Sequence, residues 1–171
     1  PPTARANLMA RGLRLREQAT LQKLLPAAFL SRFSSSDQHL TAVQARTDAS
    51  NILRMDDPEL MKYPIAYLSE PGYWYPTDSE AESLRTYLVK GGFLIVDDFH
   101  FEEEWRVFEA AMRKVLPDAR IDRLTAAHPI FNSFFSIESL DVPYPGRLGE
   151  RGLMGEFYGI HQDNDSSRRL T

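Results

Sequence analysis

The chain of 171 residues contains no cysteine. That absence removes a disulfide framework, a thiolate metal site and a cysteine nucleophile together. Positive charge is also in short supply. The 20 Lys and Arg are outnumbered by 24 Asp and Glu, for a formal charge of -4, and the pI is near 5.6. A nucleic-acid binder normally carries a basic stripe, so nucleic acid is not an expected partner. No run approaches the ~18 consecutive apolar residues of a transmembrane helix. The apolar stretch Leu21–Leu30 is interrupted by Lys23 and Pro26, and Leu21, Leu24, Leu25, Ala28 and Phe29 are spaced for an amphipathic helix instead. The markers G-x-S-x-G, H-E-x-x-H, the P-loop and G-x-G-x-x-G are all missing, which excludes the chemistries that depend on them.

What is present suits a folded domain. The hydrophobic content of 43% is enough to build a core and argues against wholesale disorder. Residues 1–50, broken by Ser34-Ser35-Ser36-Asp37, read as a helical or poorly ordered segment through which the chain could oligomerise. Residues 51–165 read as an α/β domain, expected to be incomplete at its C-terminal end, and 166–171 as a tail.

The α/β signals are regular from Lys62 onward. Tyr63-Pro64-Ile65-Ala66-Tyr67-Leu68 is a short apolar run of the kind found in buried strands. Thr77-Asp78-Ser79-Glu80 fits a capping box, opening a helix with Ala81, Leu84 and Leu88 on one stripe and Gly91-Gly92 at its end. Phe93-Leu94-Ile95-Val96 follows as a second strand, 28 residues after the first when counted from Ile65 to Phe93, the length of a right-handed βαβ unit. A further helix is expected from Glu102 to Leu116, carrying Trp105, Phe108, Met112 and Val115. Arg120–Leu124 falls where the next parallel strand is due, and Leu153–Ile160 is a later strand. The fold class predicted is therefore α/β, an open, mostly parallel sheet with helices on both faces.

In such sheets ligands bind beyond the carboxyl ends of the strands. Two strand ends carry functional groups, Ser69-Glu70-Pro71-Gly72-Tyr73-Trp74-Tyr75 and Asp97-Asp98-Phe99-His100. Glu70, Tyr73, Trp74, Asp97, Asp98 and His100 are thus candidate ligand-binding residues, joined by His128, which also follows a strand. Asp97, Asp98 and His100 are alternatively a ligand set for a divalent metal such as Mn, Fe or Zn, whose bound water would be a hydrolytic nucleophile. Plain structural roles compete with both: an aspartate capping the next helix, and aromatics folded down as a lid. His161, close to Asp163 and Asp165, reads as part of a solvated polar segment.

Several of these blocks resemble one family. Tyr63-Pro64, Glu70-Pro71-Gly72, Ser79-Glu80-Ala81-Glu82, Gly91-Gly92-Phe93-Leu94, Asp97-Asp98-Phe99 and His128-Pro129-Ile130-Phe131 are similar to DUF4159, an uncharacterised bacterial family, over roughly residues 56–165. The resemblance implies a flavodoxin-like fold of the class I glutamine amidotransferase type. In true amidotransferases the nucleophilic cysteine sits where this chain has Asp97-Asp98-Phe99-His100, so cysteine-dependent glutamine hydrolysis is excluded. The resemblance points to a non-enzymatic module for a small ligand or protein partner, with no cofactor expected beyond the divalent metal of the alternative reading. It also allows a structural subunit of a bacterial, exported or envelope-associated assembly.

Overall fold

The computed structural model describes residues 21–23, 52–98, 100–133, 135–144 and 146–171. They fall into two compact units, Pro1–Asp118 and Ala119–Thr171, so a boundary lies inside the stretch read as one α/β domain.

The first unit holds strands β1 (Leu21–Lys23), β2 (Ile52–Arg54), β3 (Ile65–Ser69) and β4 (Phe93–Asp97), with helices α1 (Asp78–Val89) and α2 (Phe101–Val115). β3 and β4 run parallel, in register from Ile65 opposite Phe93 to Ser69 opposite Asp97, and α1 is the crossover between them. Ala66 and Leu68 of β3, Leu94 of β4, and Ala81, Leu84 and Leu88 of α1 are buried. The apolar run and the three-and-four spacing thus serve one core. The start of α1 is encoded locally. Thr77 Oγ1 accepts the Glu80 N–H at 3.2 Å, while Glu80 Oε2 accepts from the Thr77 N–H at 2.8 Å and from its hydroxyl at 2.9 Å, the expected capping box. Glu80 is only 1% exposed, and its second oxygen lies 3.8 Å from Arg54 Nη2, which ties β2 to α1.

α2 buries Phe108, Ala111, Met112 and Val115. The two helices are fastened at the end of α2, where the last carbonyls of any helix lack intrahelical partners. Arg85 of α1 donates from Nε to the Val115 carbonyl at 2.5 Å and from Nη2 to that of Lys114 at 2.9 Å.

Two expectations fail in this unit. Leu21–Lys23 is a strand, antiparallel to both β2 and β3, where a helix was predicted; pairing within the sheet overrides a weak leucine spacing. The rest of the predicted helix, and most of 1–50, lie outside the described residues. The sheet order is β2-β1-β3-β4, and β3 with β4 is its single parallel pair among the described residues. The unit is mixed helix and strand, and its sheet is not mostly parallel.

The second unit contains β5 (Ile121–Arg123), a short helix α3 (Arg147–Glu150) and β6 (Tyr158–Ile160). β5 and β6 form an antiparallel pair of their own, Ile121 opposite Ile160 and Arg123 opposite Tyr158. β5 is therefore a strand as predicted, but not the next parallel one. The charged Asp122 and Arg123 inside it suit a two-stranded ribbon, whereas a parallel strand covered on both faces needs a continuous apolar run. Residues 166–171 are not a loose tail. The Thr171 N–H donates to the Ile160 carbonyl at 2.9 Å, and Leu170 bridges to His161. Among the described residues no helix is long and apolar enough to cross a membrane.

Candidate functional site

Parallel pairing of β3 and β4 brings their carboxyl ends side by side, and the Glu70 N–H donates to the Asp97 carbonyl at 3.1 Å. The chain then leaves each strand through a left-handed residue, Glu70 (φ 54°) after β3 and Asp98 (φ 64°) after β4. After Glu70, Pro71–Tyr73 makes a single 3-10 turn that lies against the first turn of α2. A Cβ on Gly72 would sit 2.6 Å from Glu104 Cβ and 2.5 Å from its Cγ, so only glycine allows this approach. After Asp98, His100 is the N-cap of α2, and Phe101 opens the helix at φ 62°. The structure therefore places Glu70, Tyr73, Asp97, Asp98 and His100 at one end of the first unit.

These groups are not equally available. Asp97 Oδ2 accepts from the Tyr67 hydroxyl at 2.9 Å and Oδ1 from the Asp98 N–H at 2.7 Å. Burial of Tyr67, reinforced by that carboxylate, pushes its phenol well above the ordinary tyrosine value. Asp97 thus joins the two strands where they end. His100 gives its N–H to Glu104 Oε2, and its Nδ1 lies 3.9 Å from the same oxygen. Trp74 is 1% exposed and belongs to the core, so it does not face a ligand. Its Nε1 is buried with no hydrogen-bond partner among the described residues.

The metal reading does not fit this geometry. Among the described residues no three His, Asp or Glu side chains are grouped to hold a cation. Both oxygens of Asp97 are already engaged, and the chain turns sharply at Asp98.

The Tyr67–Asp97 bond makes a pH prediction. A phenol whose folded value is raised contributes stability that is complete below the unfolded value near 10 and is lost as pH climbs through the folded one. Tyr67→Phe is expected to cost about 1 kcal/mol at neutral pH, in line with one part-exposed hydrogen bond to a charge. It should also flatten the alkaline decline in stability. Urea unfolding of both proteins at neutral pH and above pH ~10 checks this. Tyr87, pushed up to about 12 by burial, and Tyr158, also raised by burial, remain as late-titrating phenols.

His128 lies in the second unit, capping the 3-10 turn Pro129–Asn132; its Nδ1 accepts the Ile130 N–H at 3.2 Å. Its Nε2 is 3.2 Å from Nε2 of His161. His161 was read as solvated and is in fact 4% exposed, because β6 and the Leu170 bridge carry it inward. The available signal was its position directly after the strand residues Tyr158-Gly159-Ile160.

Residues 16–171 match the family described as Domain of unknown function (DUF4159), a wider span than the blocks read from the sequence. No curated protein matches this chain.

Proposed function

The chain belongs to the DUF4159 family, and from that premise we propose that the first unit is a non-catalytic binding module whose rim takes a positively charged segment of a partner. The observation that carries the reading is unrepaid backbone strain. Glu70, Asp98 and Phe101 are all left-handed without being glycine. That conformation costs about 1–2 kcal/mol for an ordinary residue such as Glu70 or Phe101 and less for an aspartate such as Asp98, and Glu70 is further disfavoured by the proline that follows it. Packing does not repay it, since Glu70 and Asp98 are exposed and Phe101 is 67% exposed. Strain kept at an exposed rim is a mark of a site shaped for something outside the chain. Carboxylates at Glu70 and Asp98, with the exposed rings of Tyr73 and Phe101 on the same rim, favour guanidinium or ammonium groups. Neither carboxylate has an ion-pair partner among the described residues.

The flavodoxin-like, glutamine amidotransferase-like architecture is also part of this proposal, supported by the succession β3–α1–β4–α2. A subunit of an assembly, an envelope-associated one included, would use the same rim as its contact.

The test is titration of the full chain with an oligo-arginine peptide at low and near-physiological salt, beside a Glu70→Gly, Asp98→Gly double variant. Wild type should bind with an affinity that falls steeply with salt. The variant should be at least as stable, because glycine relieves the strain, and should bind about tenfold more weakly. Equal binding by the two proteins would refute the proposal.

A further inference from the structure

In the second unit, three side chains from three segments form one chain of contacts. Asp122 lies on β5, His128 caps the turn Pro129–Asn132, and His161 follows β6. His161 Nδ1 is 3.5 Å from Asp122 Oδ2, within ion-pair reach, and is buried without a hydrogen bond among the described residues. The two Nε2 atoms of His161 and His128 meet at 3.2 Å, and His128 Nδ1 faces the Ile130 N–H at 3.2 Å.

An amide can only donate, so the Ile130 N–H assigns every proton in the chain. His128 Nδ1 must be the unprotonated nitrogen, which leaves its proton on Nε2. His161 Nε2 must then accept that proton, which puts the His161 proton on Nδ1, on the side of the Asp122 carboxylate. This direction also argues against a metal between the rings, since a metal needs the Nε2 lone pair that His128 does not have free.

No further proton fits. On His161 Nε2 it would confront the Nε2 proton of His128; on His128 Nδ1 it would confront the Ile130 amide. The charged groups around the pair decide which ring yields. Asp122, itself paired through Oδ1 with Arg120 Nε at 2.6 Å, faces His161 from β5. Asp165, from the turn after β6, also acts on His161 and is flanked by Arg168. Both carboxylates stand on the His161 side of the pair. His128 has only the His161 ring against it among the described groups.

We propose that Asp122, His161 and His128 form an acid-operated latch: protonation keeps His161 with Asp122, expels the His128 ring and frees the turn Pro129–Asn132. The freed turn carries Phe131, whose ring packs edge-on against Phe157 at 5.6 Å between centroids, so acid uncovers an aromatic contact. Burial of His128, with His161 beside it, lowers its affinity for a proton, so His128 is the ring that gives way.

Long-range proton–nitrogen NMR on the full chain reads the tautomers directly. At about pH 8 we expect His128 protonated on Nε2 and His161 on Nδ1. On acidification, hydrogen exchange at Ile130 and Phe131, corrected for its intrinsic pH dependence, should accelerate by about tenfold per pH unit, the slope of one linked proton. His161→Phe should remove that acceleration. Reversed tautomers would overturn the proposal, as would a flat exchange profile in wild type or an unchanged one in the variant. So would stoichiometric zinc uptake that shifts both Nε2 resonances. The wild-type tautomers and exchange profile together decide the matter even if the variant does not fold.

Discussion

Gly92→Val is expected to destabilise the chain by about 3 kcal/mol, the upper range for forced overpacking. A Cβ at Gly92 would stand 2.4 Å from the Tyr87 ring, and that ring is buried under the start of β4 with its hydroxyl reaching the Phe93 carbonyl at 3.4 Å. The turn cannot yield easily, because the Gly92 N–H is bonded to the Tyr87 carbonyl at 2.9 Å. The neighbouring glycine is needed for a different reason. Gly91 has φ 110° and open space where a side chain would go, so Gly91→Ala should cost only the backbone strain, about 1 kcal/mol. Urea midpoints with unchanged slopes would give both numbers. Adding Tyr87→Leu to Gly92→Val should recover part of the loss, a non-additivity expected of groups in contact. Equal, small effects at both glycines would disprove the packing account.

Trp74→Ala is expected to cost about 3–5 kcal/mol, the range for deleting a fully buried aromatic side chain. Trp74→Phe should cost far less, about 1 kcal/mol, because it keeps most of the apolar volume and removes a buried Nε1 that has no partner among the described residues. Tyr73→Ala, one residue away on the exposed side of the same turn, should leave stability within about 0.5 kcal/mol and weaken oligo-arginine binding. Thermal or urea unfolding beside the peptide titration separates the two adjacent aromatics into core and rim. A Trp74→Ala protein that folds normally and fails only in binding would reverse that assignment.

The parts of the fold legible in the sequence are those encoded over short distances. Thr77 and Glu80 announce their own helix, Gly91-Gly92 close it, and two apolar runs at βαβ spacing dictate a parallel pair. Strand pairing over longer range left no such mark. Nothing local in Leu-Gln-Lys distinguishes an antiparallel strand from a helical turn, and Asp122 within β5 signals its ribbon only once the alternative of a buried parallel strand is weighed. The same division holds at the rim. Glu70, Asp97 and Asp98 could be placed near one another because strand ends are set by topology. That Trp74 points into the core while Tyr73 and Tyr75 do not, and that Asp97 is occupied by Tyr67, depends on packing and on a tyrosine thirty positions away in sequence. His161 was hidden for the same reason, its partner His128 being distant along the chain.

The mixture of near and far pairings in the four-stranded sheet bears on how it assembles. β3, α1 and β4 meet within one short crossover, so little chain entropy is lost in bringing them together. Lys23 pairs with Tyr67 across a longer stretch of sequence than separates β3 from β4, a modestly larger closure cost that falls on a later step. The sheet should therefore grow outward from its parallel pair. Mutations in α1 and β4 should slow refolding, while those in β1 should chiefly speed unfolding.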